Sequence, residues 1–243
     1  MNTAVVIRGT TLQCTVCTSQ NDDFAIICGT CGSFLQARVA NLDFFATVWS
    51  LIESPRTAFR RIVISEQKNY VISMMLFLGI GMMFVLLSLR HAGAEFDNLL
   101  FLMLYGIVLG AVGGIPLGVV FAALIHVGCK FWKGRAAFRN TYAVVGWSLV
   151  PVILSVVILL PIELASMGML LFIPTPTAAA VKPVVYYTLA GLDIVAVLWT
   201  VGLAGYGCAI AHRLPFWKTL LTTAFVAVVL SISVYGACAR WII

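Results

Sequence analysis

Cys14-Thr-Val-Cys17 and Cys28-Gly-Thr-Cys31 are the stretches of this chain whose residue types and spacing could do chemistry. Two C-x-x-C pairs let four thiolates converge tetrahedrally on one zinc ion, and Gly29 and Gly32 suit the tight turns needed beside the ligands. Four thiolates close the coordination sphere, so the expected role is structural. Residues 1–36 are too few to bury a self-sufficient core and would draw folding energy from the metal. A redox-active dithiol pair or an iron site of rubredoxin type would use the same residues, as would disulfides if this end faced an oxidising compartment. Cys129, Cys208 and Cys238 lie in or beside apolar segments and read as small buried hydrophobes.

The elements that must position these cysteines belong in a bilayer. Of the 243 residues, 62% are hydrophobic and 10% charged, and the mean hydropathy is +1.05, too apolar for a soluble globular domain. A net charge of +6 could suggest nucleic acid, but the cations flank apolar runs, as topology signals do, so no nucleic-acid partner is expected. The segment before Cys14 lacks a basic start followed by an apolar run, and export of this end is not expected.

Residues 37–69 read as amphipathic interfacial helices. Leu42, Phe45, Val48, Trp49 and Ile52 are spaced by three or four, along one side of a helix. Ser54 is then expected as an N-cap with Pro55 at the first helical position, ahead of Ala58, Phe59, Ile62 and Val63. Arg56, Arg60, Arg61 and Lys68 mark the polar side, which either lies among anionic headgroups or connects beneath the bundle.

Residues 70–243 read as a five-span transmembrane domain, making the fold an all-α membrane protein: a five-helix bundle preceded by a small zinc-binding module. The expected crossings are residues 70–89, 99–127, 142–160, a stretch within 184–210, and 219–240, with Pro116 kinking the second. Residues 161–183 are expected as an outer connection holding Glu163 and a short apolar patch over 167–173. In this topology Arg8, Arg38, Arg56, Arg60, Arg61, Lys68, Lys130, Lys133, Arg135, Arg139, Arg213 and Lys218 share one side, leaving Arg90, Lys182 and Arg240 on the other. The positive-inside rule then puts the cysteine pairs in the cytoplasm, where reduced thiols are free to bind metal, and the C-terminus outside.

Within the bundle, Gly106, Gly110, Gly114 and Gly118 recur every fourth residue and form one helix face for close packing, or for docking to another subunit. Asp193 is the one carboxylate expected inside a crossing, at its outer edge or near mid-depth according to whether His212 or Lys182 marks the boundary. It serves either proton or ion coupling or a hydrogen bond within the bundle, and no second intramembrane acid is expected beside it. His126 with Cys129 and Cys208 with His212, spaced i, i+3 and i, i+4, could offer ligands for a second metal, although interfacial histidines and buried thiols are commoner. The tryptophans, Trp147 among them, are expected as interfacial anchors. Nothing resembles a phosphate-binding loop, a nucleophile elbow or a zinc-protease helix, and no enzymatic activity is expected.

The run Phe131-Trp-Lys133-Gly134-Arg-Ala-Ala-Phe138-Arg-Asn-Thr-Tyr142-Ala-Val-Val-Gly-Trp147-Ser-Leu-Val-Pro151 resembles the loop and following crossing of the Yip1-domain family of multi-spanning membrane proteins. Pro55 followed by Phe59 resembles that family's segment before the first crossing, and Asp193 to Trp199 the opening of its fourth. The cysteine segment is similar to a zinc ribbon, with Thr18 standing where glycine is usual after the first pair. The likeness implies a membrane adaptor without catalytic activity. Eukaryotic relatives of this kind are linked to vesicle traffic and small GTPases, and a zinc ribbon ahead of the domain points to a prokaryotic member in the cytoplasmic membrane. The expected partners are the bilayer and a cytoplasmic or membrane protein. The alternatives are an accessory subunit of a larger membrane complex, or a small-solute or ion transporter.

Overall fold

The computed structural model describes residues 11–36, 39–96 and 98–240. Arg8, Arg38, Asp97 and Trp241 lie outside the described residues, as do the side chains of Cys238 and Arg240. The chain divides into two compact units, one ending at Asn69 and the other beginning at Tyr70.

The first unit opens with strand β1, Thr11–Gln13, paired antiparallel with β2, Gln20–Asp22, so that Leu12 stands opposite Asn21. Helix α1, Phe44–Glu53, starts where the Asp43 carboxylate accepts the Ala46 N–H at 2.7 Å, satisfying one of the open donors of its first turn. Helix α2, Pro55–Ile64, begins on proline, whose missing N–H costs nothing at that position. Ser54 holds the N-cap position as expected, although its side chain makes no capping bond. Helix α2 buries Ala58, Phe59, Ile62 and Val63. Two of the cations of this segment, Arg60 and Lys68, make contacts within the unit. Arg60 Nη2 lies 3.0 Å from Asp23 Oδ1, with its guanidinium over the Phe24 ring. Lys68 Nζ donates to the Val63 carbonyl at 2.9 Å, closing an open acceptor at the end of α2.

The second unit is the membrane domain, with five helices long and apolar enough to cross a bilayer. They are α3, Val71–Leu89; α4, Leu99–Phe131; a composite span, Phe138–Leu171; α9, Pro183–His212; and α10, Phe216–Arg240. Helix α4 is capped at its start by Asn98, whose Oδ1 accepts from Phe101 N, and continues through Pro116 to Phe131. The composite span is assembled from α5, Phe138–Ser148, α6, Val150–Leu154, a π turn over Ser155–Leu159, α7, Leu160–Met167, and a 3₁₀ turn, Gly168–Leu171. The short helix α8, Ala178–Val181, precedes α9.

The composite span corrects the expected end at residue 160. Pro161 falls in the first turn of α7, where a helix tolerates proline, so the helical stretch runs on to Leu171 with Glu163 inside it.

The closest helix pair is α3 with α4. Gly106, Gly110, Gly114 and Gly118 are all buried on α4. A Cβ on Gly110 would meet Ile80 Cα at 2.7 Å, and one on Gly114 would meet the Met75 carbonyl oxygen at 2.2 Å. Gly79 of α3 reciprocates, its Cβ position lying 2.0 Å from the Gly110 carbonyl oxygen. Lipid tails are as apolar as side chains, so such spans associate through close packing, which small residues permit. Trp147 is fully buried, edge-on to Tyr70 at 6.1 Å, and is a packing residue of α5, contrary to the interfacial role expected of it.

Candidate functional site

The two C-x-x-C pairs fold as matching knuckles. In the first, Thr18 N–H donates to the Cys14 carbonyl at 3.0 Å and Cys14 N–H to the Ser19 carbonyl at 2.9 Å. In the second, Gly32 N–H donates to Cys28 at 3.0 Å and Cys28 N–H to Ser33 at 2.9 Å. Both turns place the residue after the second cysteine in the left-handed region, with φ of 58° at Thr18 and 73° at Gly32. Thr18 therefore adopts the conformation that glycine takes more easily.

This folding brings the sulfurs of Cys14, Cys17, Cys28 and Cys31 within 4.8 Å of one another, close enough to hold one metal ion. Cys14 and Cys31 are 3.6 Å apart, as are Cys17 and Cys28, far beyond a disulfide bond length. Four sulfurs placed tetrahedrally about zinc would be ~3.8 Å apart, so the set fits that ion. Among the described residues, no other group of three or more histidine, cysteine or carboxylate ligands is gathered in this way.

Two serines complete the site. Ser19 Oγ lies 3.1 Å from both Cys17 Sγ and Cys28 Sγ, and Ser33 Oγ lies 3.1 Å from Cys14 Sγ and 3.0 Å from Cys31 Sγ. Asn21 binds the second knuckle twice, Nδ2 donating to Cys28 Sγ at 3.4 Å and Oδ1 accepting Gly29 N–H at 2.9 Å. The Ser19 hydroxyl, aided by backbone N–H groups and Asn21, pushes the Cys28 thiol down to about 5. The Ser33 hydroxyl and neighbouring backbone N–H groups likewise lower Cys14. Thiolate is the form that binds metal. The serines carry a signal that spacing alone shows once the pairs are aligned: each knuckle reads C-x-x-C-x-S.

In the membrane unit, Asp193 lies on α9 and Ser155 Oγ donates to its Oδ1. Glu163 and Asp193 line one cavity. A second acid therefore accompanies Asp193, because the third crossing extends past Pro161.

His126, Cys129, Cys208 and His212 do converge at one end of the bundle, but Thr141 stands between the rings. Its Oγ1 lies 2.9 Å from His126 Nδ1 and 2.8 Å from His212 Nε2, while Cys129 and Cys208 are free, buried thiols. Gly134 fits against this cluster because a Cβ there would lie 2.4 Å from His212 Nδ1. The second metal site considered for these residues gives way to a hydrogen-bonded packing cluster. The glycine face of α4 is filled by α3, which leaves it unavailable as a docking surface for another subunit.

A family model described as the Yip1 domain matches residues 49–237. No curated protein and no solved structure matches the chain.

Proposed function

The chain belongs to the Yip1 domain family, and from that premise we propose that it is a non-enzymatic membrane adaptor whose cysteine segment is a zinc-held module that engages a protein partner. The observation that carries this reading is the convergence of four sulfurs within 4.8 Å, in a unit that ends where the membrane domain begins. Zinc bound there would hold the two knuckles together, a structural duty that leaves no coordination position open for a substrate. The glycines of α4 serve to seat α3, and Asp193 serves the interior of the bundle.

The orientation proposed puts the cysteine module in the cytoplasm. Lys130, Lys133, Arg135, Arg139, Arg213 and Lys218 sit at the bundle end to which the first unit connects, whereas Arg90 and Lys182 sit at the other, which is the charge bias of an inward-facing end.

Two measurements test the proposal. Protein purified without added chelator should carry about one zinc per chain by elemental analysis, and Cys28→Ser with Cys31→Ser should abolish it; metal content unchanged in that variant removes the metal site. Photo-crosslinkers introduced at Val16 or Phe34, both exposed, should capture a discrete protein in native membranes. Capture of lipid alone would defeat the adaptor role.

A further inference from the structure

Glu163 on α7 and Asp193 on α9 border a half-open cavity of about 610 Å³ in the membrane domain. The volume falls in the range of drug-sized ligand sites, ~300–1,000 Å³. Most of its wall is hydrocarbon, with Phe84, Leu117 and Val201 among the contributors. Among the described residues lining it there is no lysine, arginine or histidine. Thr200, two turns along α9 from Asp193 and so on the same helix face, lines the cavity as well. It is 7% exposed, and its hydroxyl has no hydrogen-bond partner.

Two carboxyls bordering one largely apolar cavity do not readily both ionise without a counter-charge; they hold a proton or a cation. With one proton the pair still carries a negative charge, and no cationic side chain in the wall offsets it. A bound cation would supply that charge. An inorganic cation would answer the charge and leave the apolar volume unused, while a hydrocarbon would do the reverse. We infer that the cavity binds a lipophilic primary amine, its ammonium head between Glu163 and Asp193 and its apolar body against the hydrocarbon walls. An ammonium has three N–H donors for the two carboxyls and the Ser155 hydroxyl oxygen. This site is independent of the metal reading, since every residue it uses lies in the membrane unit.

The probe is 1-aminoadamantane, a compact apolar amine, with the isosteric alcohol 1-adamantanol as the uncharged control. Full-length protein in lipid nanodiscs is dialysed against each labelled compound, with empty nanodiscs subtracted. The expected result is saturable binding of one amine per chain, at least tenfold tighter than the alcohol. Glu163→Gln and Asp193→Asn should each weaken amine binding tenfold or more, the latter keeping an oxygen for Ser155 to bond. Ala190→Phe, which narrows the cavity and leaves both acids in place, should abolish binding and gives a second test should a carboxamide variant fail to fold. Equal retention of amine and alcohol, amine binding undiminished in both carboxamide variants, or no retention above empty nanodiscs overturns the inference.

Discussion

At the scale of single residues, the cysteines depend on neighbours that bond their sulfurs. Ser19 and Ser33 each reach two sulfurs across the two knuckles, so each hydroxyl ties one pair to the other. Groups that orient and polarise metal ligands are typically worth about 10–100-fold in affinity. Ser19→Ala and Ser33→Ala should therefore each weaken zinc retention by about that factor in a chelator competition; an unchanged release curve in both would make the serines mere packing. The ligands themselves were legible because C-x-x-C is a local pattern that constrains one turn. The serines are second neighbours of the cysteines, and only the repeated C-x-x-C-x-S frame marks them in the sequence. Thr141 is hidden in the sequence for a different reason: it joins His126 to His212 across three helices, and no local spacing records a contact of that kind.

At the scale of elements, the α3 and α4 seam is the part of the bundle least able to absorb a side chain. Gly110→Leu and Gly114→Leu must drive into backbone atoms at under 3 Å, whereas Gly113 has nothing within 4 Å of its Cβ position. Overpacking in a filled interior costs about 1–3 kcal/mol, and more where backbone rather than side chain must yield. Each seam variant should lower the thermal midpoint in detergent, with Gly113→Leu close to wild type; equal midpoints for all three would show that the helices do not rely on this contact. The glycine spacing in α4 was readable, but its partner was not, because α3 is apolar around its circumference and offers no polar face to orient it. The end of the third crossing is masked in the sequence by Pro161 and Glu163, two residues that ordinarily mark a boundary. Here the proline occupies a permissive first turn, and the acid faces a cavity shared with Asp193.

At the scale of the whole molecule, length and hydropathy made the five spans legible, since a bilayer sets a minimum run of ~20 apolar residues. Which spans touch was not legible, because uniform hydrophobicity leaves pairing to shape. Helix α4, at 33 residues, is about 50 Å long against a hydrocarbon core of about 30 Å, so it must tilt or project beyond the bilayer. The proposed orientation is checked by labelling from either side of sealed vesicles. Cysteines substituted at Lys133 and Arg135 should react from the cytoplasmic side, along with Cys14 after metal removal, and those at Lys182 and His91 only from the other. Reaction of Cys14 and position 135 from opposite sides would undo the topology. The π turn over Ser155–Leu159 holds one residue more than an α-helical turn would. It sets the rotational phase of everything after it: delete a single position there and the rest of the span swings about 100° around its axis. Glu163 would then point elsewhere while the rod stayed almost as long, so what the bundle encloses is decided by winding as much as by composition.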